Sequence, residues 1–321
     1  MPGLKSTGKL FYSRRDFQDF HPTPYKTLFF LAVIYVIILS SLIIIWRLQF
    51  LQLHPSVAIC AYTLLFVLIG WSQFALSNGL HEALHNNLFN KNSDLMAAII
   101  TAYPIGLTMS YRDVHQAHHK HLGTANDPDL YEYINFPTSK LALVFRFLFN
   151  LCGVPALKQF FKLVFSDQKV SRKKNQWKEI IGLVTVQLFI FVMFYTAFNS
   201  IFYYFFFWIL PVVTVGKFCS STRLLCEHGS PDYDWVVRSI SGSKMKTWVL
   251  GPFDFNYHAE HHLAQTVPFP SLEKLYNRHR DVVSRSRNED LDYRVEIFEG
   301  GYLGLIWSWF KKLPWTNKNV V

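Results

Sequence analysis

The distribution of charge along the chain constrains its fold more than any other property. From Thr27 to Trp46, between Lys26 and Arg47, no charged side chain occurs. At about 1.5 Å rise per residue this run crosses the roughly 30 Å hydrocarbon core of a bilayer. A second charge-free stretch runs from Leu48 to His81 and is most apolar between Val57 and Leu76. A third extends from Ile180 to Gly216; as one helix it would be about 55 Å long, too long for a single crossing. It is read as breaking near Asn199 and Ser200 into two helices joined by a tight turn. The expected fold is therefore all-α and integral to a membrane, with four transmembrane helices in two hairpins at 27–46, 56–77, 180–199 and 201–219.

Composition agrees with this reading. Half of the 321 residues are hydrophobic and only 17% are charged, too few to cover an ordinary soluble surface. The same mixture excludes a disordered tail, a collagen-like fibre and a small disulfide scaffold. A cleaved secretory signal is disfavoured, since the first apolar run is too long and lacks a small-residue cleavage site. The four cysteines, Cys60, Cys152, Cys219 and Cys226, show no paired spacing and read as free thiols on a reducing face.

Lys and Arg set the expected orientation. Lys5, Lys9, Arg14, Arg15 and Lys26 lie before the first span. Arg146, Lys158, Lys162, Lys169, Arg172, Lys173, Lys174 and Lys178 lie between the second and third, and the last hundred residues are also basic. Only Arg47 falls on the opposite side. Both termini and all large polar segments are thus expected in the cytoplasm: an arm at 1–26, a helical cap, and a tail at 281–321, all part of one membrane-embedded domain over 1–321. The net charge of +10 is then a topology signal and needs no nucleic acid to explain it. Whether the membrane is a bacterial inner membrane or the endoplasmic reticulum is left open.

The 13 histidines are clustered. His81-Glu-Ala-Leu-His85 follows the second apolar run, and on a helix residues i and i+4 share a face. His115-Gln-Ala-His118-His119 and His258-Ala-Glu-His261-His262 repeat one spacing, i, i+3 and i+4. Eight imidazoles exceed the ligand set of a single zinc and suit two metals. Imidazole suits iron, copper, zinc and nickel, and spacing alone does not choose among them. For the clusters to converge they must emerge on one side of the membrane. The ambiguous run 95–111, interrupted by Pro104 and Gly106, is therefore read as re-entrant or interfacial rather than as a fifth crossing. His121 lies off the face of its cluster, and His21, His54 and His279 read as ordinary surface histidines.

The boxes HEALH, HQAHH and HAEHH, separated by paired apolar segments, resemble those of the membrane fatty acid desaturases over about residues 25 to 280. The element Gly123…Asp127-Pro-Asp129, the Asn256-Tyr257 lead-in to the third box, and Pro268 with Pro270 after it fit the resemblance. The resemblance implies a non-haem di-iron centre on the cytoplasmic face. Its ligands would be His81, His85, His115, His118, His119, His258, His261 and His262, with a further histidine ahead of the third box, His228. Glu82, Glu227, Glu260, Asp127 and Asp129 are candidates to orient the imidazoles from behind. The implied activity is oxygen-dependent desaturation of a lipid acyl chain, with two ferrous ions as cofactor and dioxygen as co-substrate.

The chain carries no iron–sulfur spacing, haem extension or dinucleotide-binding glycine pattern, so a separate ferredoxin, rubredoxin or cytochrome b5 is implied as electron donor. The expected partners are thus that donor, a lipid or acyl-carrier substrate, and the membrane. The third box begins with His rather than Gln, which argues against front-end desaturases. A carotenoid ketolase or hydroxylase, or an alkyl hydroxylase, would use the same centre. A His-rich metal transporter is the alternative from another class, although transporters place their ligands near the midplane rather than at span ends. Trp307, Trp309, Phe310, Lys311, Lys312 and Trp315 read as an interfacial anchor.

Overall fold

In a computed structural model the described residues are 24–88, 93–158, 176–286 and 295–316. Lys5, Lys9, Arg14, Arg15 and His21 of the N-terminal arm lie outside them, as do Lys162, Lys169, Arg172, Lys173, Lys174 and the side chain of His279. The described residues are mostly helical, and four helices among them are long and apolar enough to cross a membrane.

The first two of these are α1 (Pro24–Leu48) and α2 (Pro55–Leu84). Leu31, Ile34, Ile38 and Ile45 are buried along one stripe of α1, at helical spacing. Phe29, Val36, Leu39 and Ile43 on the other side are equally apolar but exposed. An exposed apolar face on a helix of this length is what a membrane-crossing helix would present to lipid. Pro55 opens α2 at a position that needs no N–H donor. Asn86, at φ 61°, ends the chain's helical course just past His85, in a region Asn tolerates.

A short apolar helix, α3 (Asp94–Ile105), follows. It contains a π-helical turn and a final 3₁₀ turn at Tyr103–Ile105, and Gly106 stops it at φ 80°. Gln187 Nε2 donates to the Tyr103 and Pro104 carbonyls at 2.5 and 3.0 Å, and Trp208 Nε1 donates to Pro104 at 3.0 Å. Polar groups on two long apolar helices thus satisfy the irregular backbone of α3, as backbone away from water requires.

After α4 (Tyr111–His121) and the amphipathic α5 (Lys140–Leu151) come the other two long helices, α6 (Gln176–Phe198) and α7 (Ile201–His228). Between them Asn199 takes φ 49°, and the Ser200 hydroxyl caps α7 by accepting from the Phe202 N–H at 3.3 Å. Pro211 lies inside α7 between π-helical turns at Phe205–Ile209 and Val212–Gly216, which absorb the loss of its N–H. Gly70 of α2 lets α7 approach closely: a Cβ there would stand 2.6 Å from Val215 Cβ.

Among the described residues the fold departs from an all-α chain at one place. β1 (Val237–Ser241) pairs in parallel with β2 (Val295–Glu299), register Val237↔Val295. Two five-residue strands so far apart in sequence leave no hairpin signal, which is why the sequence reading missed them. Around this ribbon sit α8 (Lys244–Trp248), α9 (His258–Leu263), α10 (Leu272–Ser286) and α11 (Gly301–Lys312). The C-terminal aromatic cluster divides. Trp309 packs inward against Phe136 with ring centroids 4.9 Å apart, whereas Trp307 and Trp315 are exposed.

Candidate metal centre

Four helix ends converge on one buried pocket of imidazoles. The last turn of α2 carries His81, with His85 at its C-cap; α4 carries His115, His118 and His119; α7 ends on His228; and α9 carries His258, His261 and His262. All are buried except His85, which is half-buried. His121, at the end of α4, belongs to neither group described below.

The ring nitrogens fall into two groups. Ligand atoms of His81, His85, His115, His119 and His261 all lie within 4.8 Å of one another, as do those of His118, His228 and His262. Nε2 of His258 joins the second group, 2.9 Å from Nε2 of both His228 and His262. In the first group the Nε2 atoms of His85 and His115 are 2.8 Å apart, those of His115 and His119 3.0 Å, and those of His119 and His261 3.2 Å.

Each HxxHH box serves both groups. His115 and His119 face the first group and His118 the second; in α9, His258 and His262 face the second and His261 the first. Helix geometry explains the exchange, because positions i+3 and i+4 point about 100° apart around the axis. The i, i+4 pair stays on one side, and the i+3 ring turns to the other.

These donors fit a metal. Adjacent nitrogens on bonds of about 2.1 Å, at right angles around one ion, lie about 3 Å apart. Both nitrogens of His81 and Nε2 of His118 are buried with no hydrogen-bond partner, which costs free energy unless something binds them. Two tautomers are fixed from behind. The Nδ1–H of His118 donates to Asp127 Oδ1 at 2.9 Å, and that of His228 donates to the Val236 carbonyl at 3.1 Å. Both leave the Nε2 lone pair directed into the pocket.

Asp127 is itself held by the Tyr133 hydroxyl and by the N–H groups of Asp129, at 2.9 Å, and Gly123, at 3.4 Å. Gly123 has φ 71°, and a Cβ there would lie 2.2 Å from the Trp235 ring, so no other residue fits behind the second box. Of the other acids, Glu227 Oε2 is 3.4 Å from His258 Nδ1, and Asp129 Oδ2 is 3.9 Å from His118 Nδ1. Glu82 accepts the Phe269 N–H at 3.0 Å, and Glu260 accepts the Ser239 hydroxyl.

Sequence reasoning missed the arginines. Arg112 of α4 donates to the Leu84 and Ala83 carbonyls at 2.9 and 3.0 Å, capping the helix that carries His81. Arg238 of β1 does the same for α7, donating to the carbonyls of Cys226 and Gly229. Arg223 lies inside the site, bonded to Asn78 and 3.3 Å from Glu227. A cation at a helix C-terminus is favourable, but no local motif announces it.

Burial keeps six of the imidazoles neutral. It lowers the His85 pKa from 6.5 to about 4, and it holds His115, His119, His258, His261 and His262 well below 6.5, with neighbouring histidines adding to the shift. Burial alone would raise the Asp127 carboxyl, but its bonds to His118 and Tyr133 outweigh that and hold it below the usual range. The sign of the pH dependence follows. Below the ordinary histidine value the unfolded chain binds protons that the folded cluster refuses, so stability is lost as pH falls. The metal-free chain is expected to show a lower unfolding midpoint at about pH 5 than at about pH 7. Tryptophan fluorescence in detergent measures this, and an equal or higher midpoint in acid contradicts it.

Comparison with known proteins agrees with the geometry. A curated relative, dihydrorhizobitoxine desaturase from Bradyrhizobium elkanii, is 27% identical over 237 residues. The aligned stretch covers 66% of this chain and 66% of that relative, just under two thirds of its length. The family model described as fatty acid desaturase matches residues 55–290, a stretch holding all nine clustered histidines, and the chain belongs to that family.

Proposed function

We propose that the chain is an oxygen-dependent di-iron oxidoreductase that introduces a double bond into a lipid acyl chain. One observation carries this: nine imidazoles, in two groups, lie at the ends of long apolar helices in a chain of the desaturase family. His81, His85, His115, His119 and His261 would hold one ion, and His118, His228, His258 and His262 the other. Bound iron would supply the oxidising power, drawn from dioxygen, that breaks an unactivated C–H bond.

The protein's own part is positioning and exclusion. Asp127 and the Val236 carbonyl fix two ring orientations, and burial keeps rings such as those of His115 and His261 unprotonated. Phe255 packs edge-on against His81, with centroids 4.6 Å apart, and excludes water on that side. We place α1–α2 and α6–α7 as two membrane hairpins, with the imidazole pocket and the surrounding cap on the cytoplasmic side where the basic segments lie. The polar partners that Gln187 and Trp208 give its carbonyls support a re-entrant α3. Electrons come from a separate carrier protein, for which the net charge of +10 favours an acidic partner.

The relative is named a desaturase, which favours desaturation over ketolation, hydroxylation or metal transport. The test is expression in a host supplied with fatty acid and with carotene, followed by lipid analysis and iron determination on the purified chain. A new acyl double bond and bound iron are expected, both lost in His118→Ala. An oxygenated carotene ring, or zinc transport without oxygen consumption, overturns the assignment.

A further inference from the structure

The two histidine groups are supported unequally. Among the described residues, the ring hydrogen bonds of His85, His115, His119 and His261 run only to one another, and His81 has none. In the second group His118 is hydrogen-bonded to Asp127 and His228 to Val236, while Glu227 Oε2 stands 3.4 Å from His258 Nδ1 with no hydrogen bond between them, and His262 Nδ1 has no partner. Two of these histidines, His228 and His258, are linked through intervening residues to the C-terminal segment, beyond residue 290, where the family match ends.

The first route runs through α11. The Tyr302 hydroxyl, fully buried, donates to Glu227 Oε1 at 3.0 Å. The other Glu227 oxygen faces His258 Nδ1 and lies 3.3 Å from Arg223 Nε. Tyr302 thus sets which way the carboxylate turns. Burial raises the tyrosine pKa well above its ordinary value, so the hydroxyl remains a donor. The second route runs through β2. Glu296 Oε2 accepts from Nε and Nη2 of Arg238 at 2.9 and 2.6 Å. The remaining arm of Arg238 reaches the carbonyls of Cys226 and Gly229, which bracket His228. The Val236 N–H closes the same turn by donating to the His228 carbonyl at 2.9 Å.

We propose that the segment Val295–Lys312 is a positioning element for the second histidine group alone, with Tyr302 acting on His258 through Glu227, and Glu296 acting on His228 through Arg238. The inference rests on the metal reading above. Among the contacts described, Tyr302 reaches Glu227 and Glu296 reaches Arg238, neither touching a clustered histidine, so they are positioning residues. Residues that orient metal-binding histidines from behind typically change metal affinity by about 10–100-fold when removed.

The experiment uses the full-length chain in detergent, stripped of metal and titrated with Co²⁺ alone, with binding followed by visible absorption. His85→Ala and His262→Ala mark which absorption component belongs to each group. Tyr302→Phe, which deletes one oxygen, is expected to weaken the component lost in His262→Ala by about 10–100-fold. The component lost in His85→Ala should be unchanged. Glu296→Gln, which keeps the side-chain shape, should show the same selectivity and serves if Tyr302→Phe does not fold. Equal weakening of both components would mean a general structural role and overturns the proposal, as does no weakening in either variant. A wild-type chain that binds no Co²⁺ overturns the metal reading and this inference together. Wild-type binding of two ions with unaffected variants overturns this inference only.

Discussion

Replacing His261 by alanine is expected to abolish product formation and to strip metal from the first group, the largest effect expected of any single substitution. The ring is fully buried and sits at the junction of the cluster. Its centroid is 4.5 Å from that of His81, 4.8 Å from His85 and 4.9 Å from His119, and its Nε2 is 3.2 Å from Nε2 of His119. Alanine removes a donor from a set in which His81 makes no hydrogen bond of its own. It also leaves a void lined by polar atoms, which packing does not repair. Loss of an orienting partner costs about 10–100-fold in metal affinity, and loss of the donor itself should exceed that range. The readouts are iron per chain and the acyl double bond in expressing cells. His54→Ala is the control, since His54 is exposed and bonds only Ser56 at 2.7 Å among its side-chain contacts. Product formation by His261→Ala at the wild-type level would remove His261 from the site.

What the sequence disclosed, and what it hid, follows from the range of the interactions. The four long apolar helices were legible because a bilayer forbids charge over a whole segment, and a local count detects that. The clustered histidines were legible because helical spacing brings i, i+3 and i+4 near one another. Their division into two groups was not. The spacing suggested that each HxxHH box forms one face, yet His118 and His261 turn away from their box partners, and only the packing of α4 against α9 and α7 shows what they meet. The pairing of β1 with β2, and the roles of Arg238, Glu296 and Tyr302, depend on residues 58 and 75 positions apart. No periodicity encodes such contacts. Even Glu227, named in advance as an orienting acid, could not be seen to depend on a tyrosine in what read as a cytoplasmic tail. Glu82 shows the reverse error, since it holds the Phe269 backbone behind the third box.

Arg238→Leu is expected to destabilise the folded chain by about 3 kcal/mol or more, the range for breaking a buried ion pair by removing one partner. Arg238 is only 2% exposed, yet it binds Glu296 through two nitrogens and two carbonyls at the end of α7 through a third. Leucine replaces its volume but none of these donors, so Cys226 and Gly229 lose a partner. The Glu296 side chain is 33% exposed, and water compensates part of its loss, which places the effect at the lower end of the range. Arg238→Lys should recover only part of the stability, because one ammonium cannot reach a carboxylate and two carbonyls with the geometry of a planar fork. Unfolding in detergent, followed by tryptophan fluorescence against denaturant, measures both variants. A leucine variant as stable as wild type would mean that the C-terminal ribbon is held by apolar packing, with Ile240, Tyr302 and Leu305 sufficient to keep it in place. The order of stabilities, wild type above lysine above leucine, is the result that assigns the ribbon's attachment to the arginine.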